Sequence, residues 1–248
     1  MKNFLYSLFI GLFGITGLTS ITFLLMYAAQ SIQQAHLYSD LAAVRTQNKQ
    51  PEIALQSSVQ PSNRNLYLEN ADMVGWIQIE GTGIDYPVMQ TPADPNYYLK
   101  HDFEKNYTDY GCPFMQADCD VLCPSDNLII YGHNMKTGTI FGCLTEYRKG
   151  DYYQEHPFIE FDTVYGDAKY EVFGAFTIDV VNDTSFIYNQ YIDMDEDTYN
   201  RYVDQVISRS DVDSGIRPSY GEQLLTLSTC EYSSANGRYV VVARRVSD

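Results

Sequence analysis

The sequence predicts a mainly β protein: a closed or nearly closed β-barrel with short helices at its rim, preceded by one membrane-spanning helix. Three observations predict it. Seven runs between residues 74 and 246 are apolar, alternating or β-branched over strand lengths. Only two segments beyond residue 65 carry helical spacing, and strands that outnumber helices in this way favour a barrel with rim helices. Residues 4–29 form a 26-residue stretch without a charge, more than the roughly 20 residues that cross a hydrocarbon core.

That stretch, Phe4 to Ala29, follows Lys2, and the next cation is Arg45. The sparse bias favours a cytoplasmic N-terminus with the remainder outside. It is longer than the roughly 7–15-residue apolar region of a secretory signal, so 1–29 reads as an uncleaved signal anchor. A cleaved signal peptide, with Tyr27-Ala28-Ala29-Gln30 as a weak cleavage site, is the competing reading. Residues 30–65 are rich in Gln, Ser and Ala. Ser31 to Val44 can extend the anchor helix outward, and Pro51, Pro61 and Asn63 break any helix. This makes 30–65 an extracytoplasmic stalk and 66–248 the folded domain.

Within the domain, Val74 to Ile79 alternates as a half-buried strand, Gly81-Thr82-Gly83 turns, and Ile84 to Val88 returns. Asn127 to Tyr131 is a mostly apolar strand. Thr139 to Arg148 has helical spacing, with Ile140, Phe141, Leu144 and Tyr147 on one face. Phe158 to Phe161 and the long, aromatic Lys169 to Val181 are strands. Asp195 to Ile207 is a helix with Tyr199, Tyr202, Val203 and Val206 facing inward. Gln223 to Thr229 and Arg238 to Val246 are the last two strands.

Charge narrows the function. The net charge is −16, and Lys2 and Asp40 cancel within the first 40 residues, so all of it lies in residues 41–248. Such a domain is a poor binder of nucleic acid, which relies on Lys and Arg at phosphates. The acidity also serves plain solubility. Five cysteines in an exported domain leave an odd one, a candidate reactive thiol. The other four, Cys112, Cys119, Cys123 and Cys143, are compatible with three pairings, including a local Cys119–Cys123 bridge, or with four reduced thiols. No second closely spaced Cys or His pair completes a zinc site. Asp193, Asp195, Glu196 and Asp197 lack the glycine and terminal Glu of a calcium loop; at a helix start they complement the helix dipole.

Three residues supply the parts for thiol acyl transfer. Thr226-Leu227-Ser228-Thr229-Cys230 ends a strand on a cysteine, Tyr131-Gly132-His133-Asn134-Met135 puts a histidine just past another strand, and Arg238 opens the strand that follows the cysteine. They correspond to nucleophile, proton carrier and oxyanion stabiliser. Taken singly, Cys230 is more often a buried core cysteine and His133 an ordinary loop histidine, and Arg238 can be a strand-end surface charge. Their joint occurrence favours chemistry. His36, His101 and His156 sit in no motif that matches that of a catalytic histidine, and Arg244 and Arg245, at the far end of the strand, read as surface charges.

These motifs resemble the sortases, and among them class B. The likeness extends to Asn70-Ala71-Asp72-Met73-Val74-Gly75-Trp76-Ile77, Ile84-Asp85-Tyr86-Pro87-Val88, Tyr98-Leu99 and Glu155-His156-Pro157-Phe158-Ile159-Glu160-Phe161, over roughly 66–246. The resemblance implies a closed eight-stranded barrel and a membrane-anchored cysteine transpeptidase at the cell surface, without cofactor or metal. Its substrates would be surface proteins bearing a C-terminal sorting signal, and its acceptor an amine of the cell-wall precursor or a pilin lysine. Cys230, His133 and Arg238 would be catalytic. Leu99, Phe186, Ile187, Ser228 and Glu231 match positions that line the substrate groove. Two departures stand out: a groove asparagine of some members falls at Pro95, beside Asn96, and the often acidic position two after the cysteine is Tyr232. The first alters the expected signal; the second argues against a carboxylate as third member of a triad. The rival functions are an endopeptidase that uses water and a catalytically silent anchored barrel that binds a wall ligand.

Overall fold

The structure, a computed structural model, describes residues 2–48, 60–232, 234 and 236–246. Two compact units emerge, Met1–Leu41 and Ala42–Asp248. Helix α1, Lys2–Asn48, makes up the first unit and contributes its last turns to the second. In the first unit Leu18, Phe23, Leu24 and Leu25 are about two-thirds exposed, an apolar surface that no protein core covers.

The 30–65 segment is not uniform. Pro51, expected to break the helix, lies outside the described residues. Pro61 opens helix α2, Pro61–Glu69, instead of breaking one, and Asn63 lies inside that helix. The reason is positional: proline is costly within a helix but suits its first turn, where its missing N–H has no partner to lose. Asn63 is fully buried and its amide donates to the carbonyls of Asp162 and Thr163, at 3.3 Å each. Arg45 is buried too, paired with Asp162 and lying over the Trp76 ring at 5.3 Å. Removing one partner of a buried pair strands the other charge. Arg45→Met is therefore expected to lower stability by about 3 kcal/mol, a fall in Tm of roughly 6–12 °C for a domain of this size. An unchanged Tm in a thermal melt would make this pair dispensable.

The second unit is built on eight strands: β1 Met73–Gln78, β2 Asp85–Met89, β3 Phe114–Met115, β4 Asn127–Tyr131, β5 Phe158–Thr163, β6 Lys169–Asp179, β7 Leu224–Glu231 and β8 Gly237–Arg245. They close into a barrel in the order β1-β2-β3-β4-β7-β8-β6-β5, with β5 returning to β1. Closure removes the free edges that an open sheet must protect. Two pairings are parallel, β2 with β3 and β4 with β7; the rest are antiparallel. β3 has two residues, too short for any periodicity to register. The expected helix over 139–148 is a 3₁₀ helix over Gly142–Arg148. Ile140 ahead of it takes a left-handed φ of 56°, so the chain enters the turn late. The four residues expected on its inner face are all buried. A short α3, Gly150–Glu155, follows.

Helix α4, Glu196–Arg209, lies in the long β6–β7 connection. Asp195 caps it, accepting from the Thr198 amide at 2.8 Å, which settles the acidic run as a helix cap. Tyr199, Tyr202, Val203 and Val206 recur at helical spacing and are fully buried against Phe173, Phe176, Val240 and Val242. Gly174 permits the approach: a Cβ there would meet Val206 Cγ1 at 2.4 Å. This packing fixes β6, β7 and β8 as one slab, and the slab carries the site. Arg244 departs from its expected role as a surface charge. It is half-buried and pairs with Glu222 at 2.8 Å and Glu171 at 2.9 Å, tying β8 to β6 and to the approach to β7.

Candidate active site

Strand register assembles the site. In β7–β8, Cys230 stands directly opposite Arg238, so both side chains project from the same face of the sheet. In the parallel β4–β7 pair, Tyr131 stands opposite Ser228. The Gly132 amide extends the match by one bond, to the Ser228 carbonyl at 3.1 Å, and His133 follows just past the strand end, lining the same groove as Cys230. Thus residues 97 apart in sequence meet at one rim of the barrel.

The three side chains line a groove of about 1050 Å³. Pro92, Pro95, Asn96 and Leu99 stand on one side, and the segment from Val180 to Ile192 on the other. The latter wall is anchored by Phe186 and Tyr188, both buried in the α4 core. Arg209 of α4 steadies it further, pairing with Asp183 at 3.0 Å and lying over the Phe186 ring at 5.4 Å. Of the expected groove residues, Leu99 and Ile187 line it with their side chains partly exposed. Phe186 and Ser228 line it from beneath, almost wholly buried. The Glu231 backbone ends β7, and its side chain lies outside the described residues.

His133 Nε2 donates to the Leu99 carbonyl at 2.7 Å. A carbonyl can only accept, so this nitrogen carries a proton, and a neutral ring offers Nδ1 for proton exchange. Arg238 Nη1 donates to the Gly237 carbonyl at 2.9 Å, which leaves other donors of the fork for a ligand. Two phenols sit nearby. Tyr188 bonds Ser228 Oγ at 2.7 Å, and Tyr131 donates to Gln116 Oε1 at 2.6 Å. Burial pushes both phenols above the usual tyrosine range while the Arg238 charge opposes it. They remain neutral, and Arg238 is the permanent cation among the residues that line the groove.

All five cysteines are free thiols. Cys112 and Cys119 are buried, and burial pushes the Cys119 thiol up to about 11. Burial also raises Cys143. A thiol held protonated is a poor nucleophile. Cys123 is exposed, in the turn after β3, and is not among the residues that line the groove.

Sequence reasoning passed over four side chains here. Gln116 bridges Tyr131 to the Asn189 carbonyl at 2.9 Å. Tyr188 fixes Ser228. Asn134 donates to the Cys230 carbonyl at 2.7 Å, and Thr229 to the Gly132 carbonyl at 2.7 Å. Asn134 and Thr229 lie inside the two motifs, but their neighbours' chemistry masked them.

A closed barrel with a thiol, an imidazole and a fixed guanidinium at one groove defines a cysteine acyl-transfer enzyme. A family model described as "Sortase domain" matches residues 77–246. The chain is 34% identical to sortase B of Staphylococcus aureus over 191 residues, 76% of each protein. It is 30% identical to sortase B of Listeria monocytogenes over 195 residues, 78% of this chain and 77% of that one. Among solved structures, a sortase B from B. anthracis matches at a TM-score of 0.76 and 27% identity, covering 88% of this chain and 99% of that one. A Staphylococcus aureus sortase B–substrate complex matches at 0.75 and 29%, covering 88% and 97%. The chain belongs to the sortase family, on its class B branch, and is a cysteine transpeptidase.

Proposed function

We propose that this enzyme is anchored in the cell membrane by 1–29 with its catalytic domain outside, and that it joins surface proteins to an amine at the cell wall. The pairing of Cys230 with Arg238 and the groove that both share with His133 support this reading. Cys230 passes its thiol proton to His133, and its sulfur attacks the carbonyl of the threonine in a C-terminal sorting signal. Arg238 faces the oxyanion of the tetrahedral intermediate. His133 gives a proton to the leaving amine, and the peptide bond breaks to leave a thioacyl enzyme. An incoming amine then loses a proton to His133 and attacks the thioester, and the carbon–sulfur bond breaks to release the Cys230 thiolate, to which His133 returns the proton. Leu99, Phe186, Ile187, Ser228 and Glu231 are proposed to contact the signal; Pro95 and Asn96, at the groove wall, bear on which signal fits.

The acceptor is proposed to be an amine of the cell-wall precursor, with a pilin lysine as the alternative. The exposed apolar side chains of α1 and the lone Lys2 ahead of them support the tether. Incubation of the full chain with a library of sorting peptides, with and without a diamine or glycine-peptide acceptor, tests the reading. The expected product with acceptor is the new amide. Hydrolysis alone at saturating acceptor would instead make it an endopeptidase, and no turnover of any peptide would favour a silent wall-binding barrel.

A further inference from the structure

We propose that Asn134 is a positioning residue that holds His133 in register with Cys230; this rests on the roles given to those two residues above. β4 ends at Tyr131, yet the chain must stay in step with β7 for two more residues. In a regular parallel ladder the amide of every second residue donates across. Gly132 does so, to the Ser228 carbonyl at 3.1 Å. The next such bond would run from the backbone amide of Asn134 to the Cys230 carbonyl. The chain has turned by then, because Asn134 bridges Ile140 on the other leg of its own loop.

The Asn134 side-chain amide takes the vacant ladder position and donates to the Cys230 carbonyl at 2.7 Å. Two hydroxyls complete the bracket. Thr229 donates to the Gly132 carbonyl at 2.7 Å, and Tyr232 to the Asn134 carbonyl at 3.1 Å. Side-chain bonds therefore tie the loop to the nucleophile's strand on both sides of His133. The backbone of His133 is held while its ring stays outside the strand's alternation and can turn toward the thiol. Ile140 and Phe141 brace the loop from behind. Phe141 donates its amide to the His133 carbonyl at 3.0 Å, and a Cβ on Gly132 would strike the Phe141 ring at 2.7 Å.

The test compares Asn134→Ala and Asn134→Asp with the unaltered full chain. The aspartate keeps the shape but replaces the donor with a charge that repels the Cys230 carbonyl. Both are expected to lower kcat by about 10- to 100-fold, the scale of a small misplacement of reacting groups, with KM within about twofold. The ring-proton resonance of His133 should shift while those of His36, His101 and His156 stay in place. Tyr232→Phe, at an exposed residue, should give a smaller loss of kcat and a smaller shift of the same resonance. Normal turnover in the Asn134 variants overturns the proposal, as does a loss of kcat with the His133 resonance unmoved. If both Asn134 variants fail to fold, normal turnover of Tyr232→Phe with an unmoved resonance overturns it. His133→Ala separates the two readings: full activity there sinks the role of His133 itself, whereas an inactive His133→Ala beside fully active Asn134 variants sinks only the bracket.

Discussion

Cys230→Ala is expected to abolish cleavage of every sorting peptide while Tm stays within about 2 °C, since a half-buried thiol at a groove contributes little to folding. The unaltered enzyme, stopped during turnover, should carry the acyl group on Cys230, and hydroxylamine should release it as a hydroxamate. The other thiols cannot substitute. Cys112 and Cys119 are buried, Cys143 is held protonated by burial, and Cys123 is exposed but does not line the groove. Exposed Cys123 will also react with a general thiol reagent, so labelling is best read in a Cys123→Ser background, where Cys230 should react first. Residual turnover in Cys230→Ala, or an acyl adduct on another cysteine, would remove the nucleophile from this scheme.

Arg238→Ala should cost about 10²–10³ in kcat with little change in KM, the usual consequence of losing one donor that acts only on the transition-state oxyanion. Arg238→Lys should recover little, because a point charge does not reproduce the planar fork. The far end of β8 supplies two controls that behave differently. Arg245 is exposed, and Arg245→Ala should be neutral in both rate and stability. Arg244 joins Glu171 and Glu222, so Arg244→Ala should lower stability by about 1–2 kcal/mol while kcat holds. A rise in KM alone for Arg238→Ala would make Arg238 a ground-state binder.

Much of this was legible in the chain itself because it is local. Tyr199, Tyr202, Val203 and Val206 recur at the helical repeat, so α4 and its buried face could be read directly. The runs ending at Tyr131 and Cys230 and the run opening at Arg238 are apolar and β-branched, so each could be read as a strand carrying a reactive group at its end. Elements with weaker local signals escaped. β3 is two residues long, α3 is six, and Pro61 reads as a breaker until it is seen to open α2.

Local residue order alone is enough for the apolar N-terminal helix and the β-rich domain, and motifs in the family's order nominate the thiol, imidazole and guanidinium. That these three share one rim emerges from the folded barrel and from nothing shorter in range. Periodicity reports which face of a strand is buried and says nothing of which strand it pairs with or in what register. Pairing depends on closing the whole barrel and on the slab that α4 holds together. The parallel β4–β7 match of Tyr131 with Ser228, the Asn134 bond that extends it, the Arg45–Asp162 pair and the two carboxylates on Arg244 are long-range consequences of that closure. Their partners lie from 22 to 117 residues away, beyond the reach of any local pattern.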